Sequence, residues 1–546
     1  MTGDADLVIR GAAVWTGDSE QPCADSIAVR GDRVVALGAD ATGAVTGPRT
    51  RIVQQPGSLV VPGFQDAHVH PPVAGRNRLH VWLNDLVGRH AYLDRIAEYA
   101  GANPDQPWII GGGWAMEHFP GGAPSKHDLD AIVPDRPVFL MNRDVHSAWL
   151  NSTALAIAGI TADTADPTDG RIERDPQTGE PTGTLHEGAA YSFQARHVPN
   201  PSRADWEVAI LEAQTHLHSL GITGWQDAWV TPETLEAYRS LADADRLTAR
   251  VVGALWWDRH RELDQIDDFL TQREAGGTGN FHPTSVKIMT DGVLENFTGA
   301  LLEPYCDGCG GHTDNLGLSY VERDLLAAAV TQLDRHGFQV HLHAIGDRAV
   351  RNGLDAIEAA RIANGTNDNR HHIAHVQIVQ PEDVPRFREL GVVANCQAYW
   401  AQLEPQMEEL TIPYLGRDRA QRQYPFGDLA RSGATLAMGS DWSVTTANPL
   451  EQIEVAVTRV DPEKRDNAPF LPEQALSIEA AMRAFTAGSA YANHDAAAGT
   501  LAVGKRADLV VLDHDVFTSG LPTADARVDL TVAGGRVVFD RADAAG

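Results

Sequence analysis

Cysteine is scarce, with four residues in a chain of 546. That is too few for a disulfide framework, and it points to a reducing, cytoplasmic compartment. Cys306 and Cys309 form an isolated CxxC without a second ligand pair at zinc-site spacing, so they read as loop residues. No run of about 18 uncharged apolar residues occurs, which excludes a membrane-spanning helix. The stretch Met1–Glu20 carries Asp4 and Asp6 and no long apolar segment, unlike a signal peptide. Basic charge is also short: 44 Lys and Arg stand against 74 Asp and Glu, a net charge of −30. Without a basic block there is no footprint for a nucleic-acid partner. The acid surplus favours solubility and suits a high-salt or high-GC host, but says nothing about chemistry.

Hydrophobic residues make up 43% of the chain and charged residues 22%, the balance of a soluble globular protein. Both ends are β-rich. Leu7–Arg10, Ser26–Val29 and Arg33–Ala36 alternate between turn signals, and so do Ala507–Leu512, Asp529–Ala533 and Arg536–Phe539. Neither end can bury a good core alone, so residues 1–62 and 490–546 are expected to share one small β-sandwich. Between them run eight apolar strand candidates: Leu59–His70, Ile222–Asp227, Arg250–Trp257, Ser285–Asp291, Gln339–His343, His371–Gln377, Val392–Gln397 and Leu436–Asp441. Most precede helical patterns. Eight buried parallel strands predict an α/β fold built on a (β/α)₈ TIM-like barrel over residues 63–489. The long gap after the first strand makes residues 71–205 an inserted subdomain. Gly111–Gly113 within it lacks the strand–turn–helix setting of a phosphate loop.

The sharpest motif is Asp66-Ala67-His68-Val69-His70 at the end of the first strand. Side chains alternate along a strand, so its carboxylate and two imidazoles share a face, at the end of a barrel where active sites are built. Other strands also end in ligand-type residues. The fourth holds Lys287, which is costly in an apolar strand unless paired or modified. The fifth holds His341 and His343, the sixth His375, and the eighth leads to Asp441. His216 and His218 form a second HxH on a probable-helix pattern. There they point about 200° apart and cannot easily share an ion.

HxH, strand lysine, two strand histidines and a terminal aspartate, in this order, resemble the ligand set of the amidohydrolase superfamily. The blocks LVVPGFQDAHVH, VKIMTDG, HLHAIGDRA and GSDWSV are similar to its YtcJ-like branch, which includes N-substituted formamide deformylases, and the C-terminal AAGTLAVGKRADLVVLD resembles the return into the sandwich. The resemblance covers nearly the whole chain. It implies that His68 and His70 bind a buried metal, that Lys287 is carboxylated and bridges to a second metal, and that His343 and His375 bind that second ion. It implies that Asp441 binds metal and handles the proton of the attacking water, so that Asp441, Lys287 and His375 are the catalytic candidates. Imidazole and carboxylate ligands suit one or two Zn²⁺ ions, with Mn²⁺ and Fe²⁺ as alternatives. An unmodified Lys287 ammonium would instead favour a single-metal site.

Tryptophans gather near the predicted strand ends. Trp229, Trp256, Trp400 and Trp442, with Trp114 and His146 from the insert, are candidate substrate-binding residues for an aromatic or bulky amide. Glu187 accompanies His146 as a recurring polar position. Arg143 and Arg348 are available to clamp a substrate carboxylate, with positions the sequence leaves open. The expected function is metal-dependent hydrolysis of an amide-type C–N bond in a small molecule, with a homo-oligomer compatible with the sequence. The alternatives are a deaminase of a heterocyclic amine and a non-catalytic regulatory or binding protein on the same scaffold. Lys287, and the spacing His343-Ala344-Ile345-Gly346-Asp347 in place of an HxxE-like pattern, favour the amide hydrolase.

Overall fold

The computed structural model describes residues 3–544. Its centre is a sheet of eight parallel strands: β1 (Phe64–Val69), β2 (Ile222–Val230), β3 (Arg250–Trp256), β4 (Phe281–Met289), β5 (Gln339–Ala344), β6 (His372–His375), β7 (Val393–Cys396) and β8 (Leu436–Met438). Each strand pairs in parallel with the next in sequence. The seam between β8 and β1 is drawn together by hydrogen bonds. Asp441 N–H donates to the His68 carbonyl (2.7 Å), and Asn395 Nδ2 on β7 donates to the Ala67 carbonyl (2.8 Å). The result is the TIM-like barrel expected from the apolar runs. Those runs are apolar throughout because both faces of each strand are covered, one by the barrel interior and one by helices.

The covering helices show the matching pattern. Leu326, Ala329, Val330 and Leu333 line the buried face of Arg323–Arg335, and Val350, Leu354 and Ile357 that of Asp347–Asn364. Helix Pro232–Asp243 starts with Thr231 as its cap and Pro232 at its first position.

The expected first strand Leu59–His70 is two strands. Leu59–Pro62 belongs to the terminal sheet, β1 to the barrel, and the chain changes sheets at Gly63. Any Cβ there would lie 2.4 Å from Thr223 Oγ1 on β2, so only glycine lets the two strands approach. β4 begins four residues before the expected start at Ser285, and β8 spans three residues, so Asp291 and Asp441 lie on loops beyond their strands.

Strands from both chain ends form one eight-stranded sheet. Leu509–Leu512 runs antiparallel to Leu59–Pro62 and joins the two halves. Strand Leu7–Trp15 forks, its first half pairing with Arg51–Gln54 and its second with Leu59–Pro62. Residues two apart on each strand (Leu7 and Ile9, Ile27 and Val29, Leu509 and Val511, Leu530 and Val532) bury one face in a shared core. Residues 1, 2, 545 and 546, assigned to this composite unit from sequence, lie outside the described residues.

Between β1 and β2 a six-stranded sheet runs in the spatial order Gly170–Arg174, Pro181–Glu187, Ser147–Leu150, Val138–Asn142, Ile109–Trp114, Val81–Trp82. Gly111–Gly113 lie inside a strand of this sheet, with no helix N-terminus to hold a phosphate. Among the described residues, no helix is long and apolar enough to cross a membrane.

Candidate metal centre at the barrel mouth

The alternation of β1 carries Asp66, His68 and His70 along one face, and Asp441 enters from the loop after β8. Asp441 Oδ1 lies 3.1 Å from His68 Nε2 and 3.0 Å from His70 Nε2. These ligand atoms all fall within 4.8 Å of one another. Oδ1 is buried yet satisfied by no hydrogen bond, so lone pairs converge on one point. Two imidazoles and a carboxylate so arranged fit a divalent cation.

The surroundings fix these groups. His341 Nε2 lies 2.8 Å from His68 Nδ1, which holds the His68 ring with Nε2 toward Asp441. Asp66 Oδ1 accepts from the N–H groups of His68 and Ser440, both at 3.0 Å, stitching β1 to the Asp441 loop. His375 Nδ1 stands 3.9 Å from Asp441 Oδ2, and its ring centre is 4.5 Å from that of His343. His343 Nδ1 is bonded to Asp291 Oδ1 at 3.1 Å, and the same carboxylate accepts from the N–H groups of Ala300, Ile345 and Gly346. His375 (φ 75°) and Asp441 (φ 56°) both sit in the left-handed region, a strained backbone for non-glycine residues that the surrounding bonds hold in place.

Charge at the site follows from burial. Burial pushes His68 down to about 3, helped by Lys287 and opposed by Asp441. His343 and His375 are likewise held well below the ordinary histidine range by burial. Burial thus favours the neutral form of these three imidazoles, the form that ligates metals. Burial alone would raise Asp441, but the neighbouring imidazoles outweigh it and keep the carboxylate ionised. Lys287 is 2% exposed. Burial brings it down to about 7, with Asp441 opposing.

Beside these groups opens a cavity lined by His343, His375, Asp441, Asp144, His146, Glu295, Trp400 and Tyr424 among others. Of the six residues expected to hold substrate, His146 and Trp400 line it. His146 Nδ1 bonds Glu187 at 3.0 Å, and although burial lowers it, Glu187 and nearby carboxylates raise it to about 9. Trp229 stands edge-on to His70 (6.4 Å between centres), and Trp256 packs against Trp229 at 5.1 Å. Two expectations are corrected. Trp114 is sealed in the core of the insert, its Nε1 donating to the Leu140 carbonyl and its ring against Phe119 and Trp149. Its strand faces the insert's own core. Trp442 lines a neighbouring recess, beside Trp82 and His216, rather than the cavity wall. The strand ends before it, so its side chain no longer follows the barrel alternation.

His216 and His218 take structural positions, His218 bonded to the Ile222 carbonyl (2.9 Å) and Thr248 Oγ1 (2.8 Å). Cys306 is buried, Cys309 is exposed and both are free thiols. Sequence reading assigned no role to Asp144, Asp291, Glu295, Gln377 or Gln397. Gln377 and Gln397 follow β6 and β7 at positions like those of the histidines, which is a usable signal. Asp144 and Glu295 lie on loops without periodicity and carried none.

A family model described as Amidohydrolase family matches residues 56–539. Protein LONG AFTER FAR-RED 3 of Arabidopsis thaliana is 32% identical, covering 98% of this chain and 92% of that protein. The N-substituted formamide deformylase of Arthrobacter pascens is 27% identical, with 94% of each chain covered. Among solved structures, an uncharacterized metal-dependent hydrolase from Pyrococcus horikoshii OT3 superposes with a TM-score of 0.73 at 23% identity, over 95% of this chain and 99% of that one, which shows a shared fold. With the family match running from the last strands of the N-terminal sheet, through the barrel and its ligand cluster, to the C-terminal strands, this chain belongs to the amidohydrolase family.

Proposed function

We propose that the protein hydrolyses an amide-type C–N bond of a small molecule, using one or two divalent ions, with zinc preferred for the imidazole-rich ligands. The observation that carries this reading is the convergence of His68, His70 and Asp441 within 4.8 Å at the mouth of the barrel, beside a pocket. His68, His70 and Asp441 would hold one ion, and Lys287, His343 and His375 a second. When bound, a divalent ion supplies Lewis acidity and lowers the pKa of water from 15.7 to about 7. Asp441, ionised and central, takes the proton from the attacking water and delivers it to the leaving nitrogen as the C–N bond breaks. Asp291 orients His343, and His341 orients His68. The Lys287 amine, brought toward neutrality by burial, is in the form that adds carbon dioxide, losing one proton and becoming an anionic carbamate suited to bridging two cations.

The deformylase relative supports amides, formamides included, as the first substrates to try. The retained ligand-type residues favour a working site over a non-catalytic scaffold, and the choice between amide hydrolase and deaminase rests on the substrate. A panel of formamides, acetamides, lactams and aminopyrimidines, assayed for released amine or ammonia with metal content measured in parallel, tests the reading. Amine release that is lost on chelation and restored by zinc is expected. Ammonia from aminopyrimidines alone would replace the amide reading with the deaminase.

A further inference from the structure

One polar pair at the cavity is built at a cost that folding does not explain. His146 sits in the turn between the insert strands Val138–Asn142 and Ser147–Leu150. Its Nδ1 lies 3.1 and 3.0 Å from the two oxygens of Glu187, a fully buried carboxylate that also accepts from Thr298 Oγ1 (2.9 Å) in the loop after β4. Burying such a pair takes both groups out of water, and an apolar pair of similar size would serve stability as well. The backbone adds to the cost. Val145 (φ 59°) and Glu187 (φ 53°) both have positive φ, which strains any residue but glycine. Local bonds hold them there. Asp144 Oδ1 accepts from the His146 N–H (3.2 Å), Asn142 Oδ1 from the Ser147 N–H (2.8 Å), and the His146 carbonyl from the Glu187 N–H (2.8 Å). Strain held this firmly clusters at functional positions.

The pair faces the candidate metal centre. The His146 ring centre is 5.7 Å from that of His343, and both residues line the cavity with His375 and Asp441. Among the described residues the ring's hydrogen bonds all fall on Nδ1, to Glu187 and, at 3.5 Å, to Tyr191. Nε2, on the other edge of the ring, is left for whatever enters the cavity. An imidazole whose Nδ1–H is held by a buried carboxylate keeps one orientation, and the ion pair keeps the second N–H in place as a donor.

Resting on the amide-hydrolase reading, we propose that His146 is a catalytic residue whose Nε2–H donates to the carbonyl oxygen of the substrate, and that Glu187 is its positioning residue. As water adds to the carbonyl carbon, the π pair of the C=O bond moves onto oxygen. His146 hydrogen-bonds that oxygen and keeps its own proton. When the C–N bond breaks, the pair returns to re-form the carbonyl and the donor is unchanged. A fixed donor aimed at charge that grows only in the transition state lowers the barrier, and losing one costs about 10²- to 10³-fold in kcat.

The test uses the zinc-loaded full chain with N-butylformamide and N-butylacetamide, read by butylamine release, and formate binding read by calorimetry. His146→Gln should lower kcat about 10²- to 10³-fold while KM and zinc content stay within about twofold. Glu187→Gln should lower kcat about tenfold or more on the same pattern. Added imidazole should restore part of the turnover of His146→Ala, which a purely structural histidine would not allow. Both Gln variants should bind formate, an anion like the oxygen being stabilised, about tenfold more weakly. A raised KM with kcat within about threefold overturns the proposal, and so does a fall in kcat matched by lost zinc without rescue by imidazole. If the wild type hydrolyses neither amide, weaker formate binding in both variants upholds the Nε2 donor and counts against the amide reading. Absent or unchanged formate binding overturns the proposal, and hydrolysis that survives His146→Gln does so while leaving the amide reading intact.

Discussion

Asp441 shows how much one carboxylate depends on its neighbours. Burial would raise its carboxyl, and the imidazoles around it hold it well below the usual carboxylate range instead. Asp441→Asn keeps the shape and one ligand oxygen but loses the proton acceptor. Metal content, measured by mass spectrometry, should stay near wild type while turnover falls by about 10²- to 10⁴-fold. Undiminished turnover would remove Asp441 from the proton path. Lys287 offers a second test. Burying an amine that would otherwise be charged is unfavourable for the metal-free fold, so Lys287→Met should raise its thermal midpoint, by an amount corresponding to about 1 kcal/mol or more, and abolish activity. A lower midpoint would mean that the lysine stabilises the fold. Both residues were readable in sequence because each sits at or just past an apolar strand end. Asp291 lies in the same motif as Lys287, but its four-bond role in fixing His343 and the loops around it needs partners that lie on separate segments.

The elements hold the site through close contacts between strands and loops. A Cβ on Gly439 would meet His68 N at 2.5 Å, a backbone atom that cannot swing aside. Gly439→Ala should therefore push the Asp441 loop off β1 and weaken zinc binding about tenfold or more, by competition with a chelating dye, with the far-ultraviolet spectrum preserved. Further round the barrel, Asp334 at the end of helix Arg323–Arg335 binds the loop leading to β6. Its carboxylate accepts from Asn364, Asn367 and Asn369 and bonds His371 Nε2 at 2.8 Å. Burial would raise this carboxyl, but the His371 bond and the asparagines outweigh it and hold it well below the usual range. A depressed carboxylate contributes stability that is present above its unfolded pKa, about 4, and is lost as pH falls through the folded value. Burial also keeps His371 below the ordinary histidine value, so protonating it on unfolding adds to the same loss in acid. Asp334→Ala should cost about 2 kcal/mol at neutral pH and flatten the decline in melting temperature between about pH 5 and pH 3. An unaltered acid profile would show the network to be without weight. The eight strands were legible from their apolar runs, whereas the break at Gly63 was not. Both segments are equally apolar, and only the crossing from one sheet to another separates them.

At the scale of the whole molecule, the two chain ends meet beside the start of the barrel. Leu509–Leu512 pairs with Leu59–Pro62, and the chain passes from there through Gly63 into β1. Val511 is fully buried in the core shared by both ends. Val511→Asp places a charge among apolar side chains and should cost more than about 3 kcal/mol, loosening both ends together. Limited proteolysis should then show cleavage near residues 45 and 520 at matched rates. Cleavage at one end alone would show that the ends fold independently. The insert between β1 and β2 brings His146 and Asp144 to the cavity wall, so a segment far from the strand motifs shapes what the site can admit.

The sequence by itself determined the elements and the ligand chemistry. Apolar runs of strand length must be buried on both faces, and the period of two along β1 puts Asp66, His68 and His70 on one side whatever lies opposite. Tertiary structure alone decided which polar groups face one another across the cavity. Trp114 went into the insert's core and Trp442 into a neighbouring recess, and Arg143 was drawn off by Glu117 and Glu404. Those outcomes depend on loops that carry no periodic signal, and on distances between residues hundreds of positions apart, which closure of the barrel and docking of the insert set.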